Sequence, residues 1–425
     1  MTFARYQEAI PMPENVRNLT RFDVPYFWTS VANIPSLHWD YPDVNIAKAL
    51  GGCGIHNAML YVRALPSDIE KWNMKDWTWE KALQLYLAME DYAGESSAYH
   101  SNRGFLRTSP PNIVDDVSKA FVEACEYVGI PKTHDFNAPS GRFGAGLYTF
   151  NMRDGVRESI AQTFLGPILR DNDSVPAREN LRLMLNTTVE RISITDDLTA
   201  EGVQVSLANG TRKIIRLRPN GTVVVTAGAI NTPKVLMRSG IGDGDALNKL
   251  NITVKKHLPR VGMNLQDHPV VAMTFASTSP TPMDVRKELE SYFNATQMMQ
   301  SDPASYGVMG SAGISAGAFL IPPGSTTPDI QLTFFPQKSE PHVTNSRWLN
   351  HSSEILVTIT VVNPHARNRI TLVPREDNGE LIPFIEAQIP VNETEDLSSS
   401  DMWKLAWGVT VVRQIATIMG TCTLD

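Results

Sequence analysis

The chain has 425 residues, enough for two or three domains at roughly 100 to 200 residues each. It is 42% hydrophobic and 20% charged, an ordinary globular composition that excludes disorder, collagen and coiled coil. Lys plus Arg number 38 against 45 Asp plus Glu, and the resulting net charge of −7 excludes the basic footprint of a nucleic-acid binder.

No window reaches the roughly 18 uninterrupted apolar residues of a membrane span. The opening MTFARYQEAIPMPENVRN has neither the basic n-region nor the apolar core of a signal peptide. Cys53, Cys125 and Cys422 are too few and too scattered for a disulfide framework or a zinc site, and no metal is expected. Asn18, Asn172, Asn186, Asn209, Asn220, Asn251, Asn294, Asn350 and Asn392 each precede x-Ser or x-Thr. These glycosylation acceptors are compatible with secretion, but Asn-rich turns produce the same triplets, and the sequence leaves the localisation open.

The first fifty residues are aromatic and Pro-punctuated and read as irregular surface structure around Phe22 to Trp28 and His38 to Tyr41. A Gly-rich break, GGCG at Gly51 to Gly54, leads into a helical pattern. Trp79, Ala82, Leu83, Tyr86 and Met89 recur at helical spacing within 77–92, and 115–128 repeats the pattern until Gly129 and Pro131 stop it. Between Leu181 and Thr226 the period switches to two, giving five β-rich runs: LRLML, TVERISI, GVQVSLA, RKIIRLR and TVVVTA. Asn209-Gly210 between two of these runs predicts a hairpin, and the fully apolar Val223 to Val225 predicts a buried strand. In AGAINTPKVLMRSGIG, Thr232 reads as N-cap, Pro233 as the first helical residue and Gly240 as the stop. Beyond Pro269 strand-like runs at 330–335, 355–362 and 369–373, and a closing helix from Trp403 to Ile418, predict an antiparallel α+β region.

Three places offer chemistry. At Ala227-Gly228-Ala229 a strand passes through small residues into a helix N-terminus, whose exposed N–H groups and positive dipole end suit a phosphate. A plain tight turn requires the same small residues. In GGCGIHNAMLYVR, Gly51 to Arg63, three glycines in four positions permit close backbone approach to a ligand. His56 there is either a packing histidine or a group presented to that ligand, and Asn57 is either a partner or a helix cap. Asn264, Gln266, Asp267 and His268 in LPRVGMNLQDHP read as turn residues bonding their own backbone rather than as a metal or acid–base site. The chain has no G-x-G-x-x-G after a strand, no Walker loop, no G-x-S-x-G, no H-E-x-x-H and no C-x-x-C.

The segments GGCGIHNAMLYVRALPSDIEKW and TVVVTAGAINTPKVLMRSGIG resemble the two signatures of the glucose-methanol-choline flavoprotein oxidoreductases. DGVRESIAQTFLGPI, NLRLMLNTTVERI and LPRVGMNLQDHP follow in that family's order and spacing. The resemblance implies an α/β plus α+β fold: a Rossmann-like FAD-binding domain from 1–66 and 141–269, interleaved with an antiparallel-sheet substrate domain from 67–140 and 270–425. It implies that Gly51, Gly52, His56, Asn57 and Ala58 lie beside the flavin and its diphosphate, Val189 on the strand at the adenine side, and Ala227 and Gly228 at the dinucleotide. In choline oxidase and its near relatives the slot of His56 holds a histidine bonded covalently to the flavin, so the resemblance sets a His56 that is covalently linked to the flavin or stacked directly on it against a His56 that merely packs.

The implied activity is oxidation of an alcohol CH–OH by hydride transfer to the flavin, with oxygen or a quinone as electron acceptor. A His base in such a site typically contributes roughly 10²- to 10⁴-fold. The alternatives are an FAD-containing lyase of the same fold and a non-catalytic remnant. The family's first strand–Gly box–helix unit and its catalytic His lie, by the resemblance, outside this sequence at either end, so the catalytic residues stay unassigned. The chain is expected to be a fragment that is inactive and binds FAD weakly when expressed alone.

Overall fold

The computed structural model describes residues 19–32, 34–42, 45–169, 180–276, 285–336, 354–386, 401–420 and 422–423. Four of the acceptor triplets, at Asn18, Asn172, Asn350 and Asn392, lie outside them. After two single-turn helices, Trp28–Ala32 and Pro66–Glu70, the longer helix α1 (Trp79–Met89) starts where Thr78 accepts from the Lys81 amide and runs into β1 (Glu90–Tyr92), which pairs in parallel with β2 (Leu106–Thr108). Asp115 caps α2 (Asp116–Tyr127) by accepting from the Ser118 amide, and Gly129, at φ 91°, ends it. Strand β3 is Gly144–Leu147.

The period-two region delivers three of its five runs into a sheet. Strands β4 (Thr187–Ile194), β5 (Ala200–Leu207) and β6 (Arg212–Arg216) form an antiparallel meander. Its Asn209-Gly210 turn is closed by Gly210 at φ 80° and by Asn209 Oδ1 accepting from the Thr211 amide at 3.0 Å. The outer two runs are corrections: 181–185 and 221–226 form no strand. Leu181, Leu183 and Leu185 are exposed, and Val224 is 77% exposed. A strand needs a neighbour for its backbone groups, and a β-rich sequence without one stays irregular.

Helix α3 (Gly228–Arg238) begins earlier than its residues predict, with Ala227 rather than Thr232 as N-cap and Pro233 inside it. The first turn is held by burial of Ile230 and Asn231 and by Tyr41, whose hydroxyl donates to Asn231 Oδ1 at 2.8 Å. These tertiary contacts outweigh the one backbone bond that Pro233 removes. Gly240, at φ 84°, follows the last turn as predicted.

The C-terminal half is built from β7 (Val270–Ala276), α4 (Val285–Gln297), β8 (Ala316–Leu320), β9 (Ile330–Phe335), β10 (Glu354–Val361), β11 (Arg369–Pro374), β12 (Leu381–Glu386), α5 (Asp401–Ile418) and β13 (Cys422–Thr423). Six strands make one sheet in the order β13-β7-β10-β9-β8-β3, antiparallel throughout. Strand β10 alternates, its Ile355, Val357, Ile359 and Val361 buried with Phe121 of α2 and Val412 and Ile415 of α5. On β8 every residue is buried, because its other side carries Phe319 in a second cluster with Met59, Tyr148 and Phe150. The sheet thereby supports the chain segment that follows Gly51 to Asn57.

Two further expectations fail near the N-terminus. Val24, Tyr26 and Phe27 are core rather than surface, packed with Tyr292 and Phe293 of α4. Residues 58–65 form no helix: Met59 is left-handed at φ 61°, Leu60 bridges Phe150, and the Tyr61 amide donates to Thr149 O at 2.7 Å. Among the described residues no helix is long and apolar enough to cross a membrane.

Candidate functional site

The glycine-rich turn is shaped by two consecutive left-handed residues, Gly51 at φ 94° and Gly52 at φ 57°, a pair that β-carbons oppose. They lead into a single 3₁₀ turn, Gly52–Ile55. A Cβ on Gly51 would lie 2.9 Å from Ile55 Cγ2 and 3.1 Å from Ala161 Cβ, whereas Gly52 and Gly54 face open space. Packing therefore explains Gly51, and backbone conformation explains Gly52. Neither explains Gly54, which leaves this face of the turn open to close approach.

Asn57 caps no helix. Its Oδ1 accepts from the Met59 amide at 3.1 Å and from Arg157 Nη1 at 2.8 Å. Arg157 is 2% exposed and also donates to Phe22 O at 3.0 Å and to Gly54 O at 3.2 Å, so one guanidinium fixes both sides of the His56 position. Burial pulls its pKa down to about 10, with Asp23 opposing. Ala58 packs beside Met59 against the aromatic cluster.

His56 faces His38 edge-on, ring centroids 5.8 Å apart at 64°, and Nε2 of each ring is buried with no hydrogen-bond partner among the described residues. Burial lowers the pKa of both, and for His56 the neighbouring His38 lowers it further. Both rings are therefore neutral at pH 7. His38 is held there by an isolated antiparallel bridge to Ala47, while the Ala47 amide contacts Cys53 Sγ at 3.5 Å. The same segment, 34–42, carries Tyr41 to Asn231, where Lys234 Nζ donates to the Tyr41 hydroxyl at 2.9 Å. It thus touches both the glycine turn and α3.

At the start of α3, Gly228 has φ 84°, no side chain caps the helix, and a Cβ on Gly228 would meet nothing within 4 Å. The N-terminus opens on a cleft of about 530 Å³ between Gly228, Ala229 and Thr232 on one side and Gly262, Asn264 and Gln266 on the other. The 258–269 segment does contain the expected turns, with Gly262 at φ 86° and Asn264 at φ 65° and Asp267 Oδ1 accepting from the His268 amide at 2.9 Å. Sequence reasoning missed that this segment is the opposite wall of the cleft. Val189 lies on β4 at a register shift and is 42% exposed. Its strand is tied to the far end of α3 by the Ile192 amide donating to Ser239 Oγ at 2.8 Å.

Arg157 and His38 were also missed as site residues. A lone Arg in DGVRES reads as surface, and His38 lies in a stretch without periodicity; only the fold brings them to Asn57 and His56.

A family profile described as GMC oxidoreductase matches residues 43–270, more than half of the chain. The chain belongs to the GMC oxidoreductase family. Among curated relatives it is 28% identical over 394 residues to "Dehydrogenase eriK" of Hericium erinaceus, covering 86% of this chain and 63% of that one. It is 32% identical over 300 residues to the mitochondrial choline dehydrogenase of Homo sapiens, covering 69% of this chain and 48% of that one. The chain thus spans about half to two thirds of the length of these GMC relatives. Among solved structures, pyridoxine 4-oxidase from "Mesorbium loti" superposes with a TM-score of 0.74 at 22% identity, over 95% of this chain and 75% of that one. That likeness shows the GMC fold, with its FAD-binding and sheet-rich parts.

Proposed function

We propose that this chain forms the flavin-binding side and part of the substrate side of an FAD-dependent oxidoreductase acting on the CH–OH group of a small alcohol. The observation that carries the reading is the buried, unpartnered Nε2 of His56 at the end of a glycine turn. A buried polar atom left unpaired costs about 1–3 kcal/mol, so a site that keeps one is built for a further group. Gly54, for which the fold supplies no other reason, supports close approach there.

FAD, when bound, supplies the two-electron acceptor for the alcohol. The chain's own residues bind and orient it. Gly51, Gly52, His56, Asn57 and Ala58 would lie beside the flavin and diphosphate, with Asn57 held by Arg157 before any ligand arrives. Ala227 and Gly228 would meet the dinucleotide at the uncapped N-terminus of α3, where free N–H groups and the helix dipole favour an anion. Val189 would mark the adenine side. The neutral imidazole of His56 retains the lone pair needed for a covalent bond to the flavin.

This reading includes interleaved domains, with 1–66 and 141–269 on the cofactor side and 67–140 and 270–425 on the substrate side. The meander packed on α3 supports it, although β3, from the cofactor-side stretch, hydrogen-bonds to β8 in the large sheet. The electron acceptor is oxygen or a quinone.

The covalent link is tested in a chain extended to the length of its relatives. Acid-precipitated protein is expected to keep its yellow colour in the pellet, and His56→Ala to give a colourless pellet while the native variant still binds flavin. A colourless pellet from the unsubstituted protein overturns the covalent bond.

A further inference from the structure

A buried charge cluster lies behind the glycine turn, where three pieces of chain meet. Glu90, the first residue of β1, has 0% exposure. Its carboxylate forms an ion pair with Arg63 Nη2 at 2.8 Å and accepts from Thr108 Oγ1 at 2.8 Å and from the Ser101 amide at 3.2 Å. It also faces His100 Nδ1 at 3.0 Å, while His100 Nε2 lies 3.2 Å from Asp135 Oδ2. A carboxylate only accepts, so a ring with a carboxylate on each nitrogen is held as the doubly protonated imidazolium.

The surroundings favour that state. Tyr92 stacks on the ring at 4.0 Å, and its phenol is pushed up, by burial first and then by Asp135 and Glu90. Arg63, the other charged partner of Glu90, lies against the rings of Tyr61 and Tyr86 at 5.5 and 5.1 Å. Arg142 donates to the Arg63 carbonyl. Arg63 ends the strap that begins at Met59, two residues after Asn57. The strap is stitched down by the Asn151 amide donating to Met59 O at 2.9 Å and by the Arg63 amide donating to Asn137 Oδ1 at 2.9 Å.

We propose that His100 is a pH-dependent clasp: gripped between Glu90 and Asp135, its imidazolium holds Glu90 on Arg63, ties the strap behind the His56 turn to β1, and releases it in alkaline solution. Burial works against the charged ring, but Asp135 and Glu90 together raise its pKa from 6.5 to about 9. For a raised histidine the contribution is complete below the ordinary value of 6.5 and is lost as pH rises through about 9. In the neutral ring one nitrogen becomes an acceptor, so one carboxylate then faces a lone pair.

The test is amide hydrogen exchange from about pH 7 to about pH 10, with the intrinsic base-catalysed rate divided out. Protection of the Tyr61 and Arg63 amides is expected to fall through about pH 9 while the β9–β10 amides stay protected. In His100→Gln the strap is expected to be less protected already at neutral pH and insensitive to further pH change. Asp135→Asn, at a side chain 26% exposed, retains the fold and is expected to move the transition to lower pH. Flat protection in the unsubstituted protein, a fall that persists in His100→Gln, or an unmoved transition in Asp135→Asn overturns the clasp.

Discussion

Arg157 shows how much of this site is decided by one side chain. Its guanidinium serves Phe22 O, Gly54 O and Asn57 Oδ1 from a buried position. Arg157→Met keeps most of the volume but removes the guanidinium donor from Phe22 O and Gly54 O and leaves Asn57 Oδ1 with the Met59 amide alone, which costs about 2 kcal/mol or more. Denaturant unfolding is expected to show that loss as a lower midpoint, and an unchanged midpoint would mean that water replaces the guanidinium. At this scale the sequence was legible where residue type dictates conformation, as with left-handed Gly51 and Gly52. It was not legible where a long-range partner decides, because nothing local to Arg157 or His38 announces Asn57 or His56. The cluster of Arg63, Glu90, His100 and Asp135 is hidden for the same reason: charged residues read as surface until the fold pairs them.

Among the elements, the strands β9, β10 and β11 and the helices α1, α2 and α5 follow their periodicity closely, since each has a neighbour that buries the face its pattern defines. The runs 181–185 and 223–225 carry equally good strand composition and form none, because composition supplies no partner. The stretch 58–65 has a helical pattern yet forms no helix, because Met59 to Tyr61 bond to 149–151 instead, a tertiary override of a weak local preference. Helix α5 approaches the sheet most closely at Gly408, where a Cβ would lie 2.5 Å from Ile359 Cγ2. Gly408→Leu is therefore expected to destabilise the protein by about 1–3 kcal/mol despite the better helix propensity of Leu. Thermal unfolding checks this, and a stabilised variant would show that α5 shifts freely over β10.

For the whole molecule, the family assignment was legible because two long signatures and three supporting motifs stand in order. The nine acceptor triplets were less informative: Asn186, Asn209, Asn220, Asn251 and Asn294 are exposed, and Asn186, Asn220 and Asn251 have φ of 51°, 60° and 57°. Left-handed turns favour Asn by themselves. The exposed Leu181, Leu183, Leu185 and Val224 lie in the two runs that flank the meander, close in sequence to the residues proposed to hold FAD. That unpaired apolar surface is the physical reason to expect weak cofactor binding by this chain.

If the His56 turn and the N-terminus of α3 serve one FAD molecule, titrating this chain with FAD moves the ring signals of His56. A weak but saturable shift of the His56 signals is expected, which ADP competes away and Gly228→Val abolishes, since a branched side chain at φ 84° both strains and covers the helix start. FAD that binds without moving the His56 signals, or a shift indifferent to Gly228→Val, would contradict one shared FAD site.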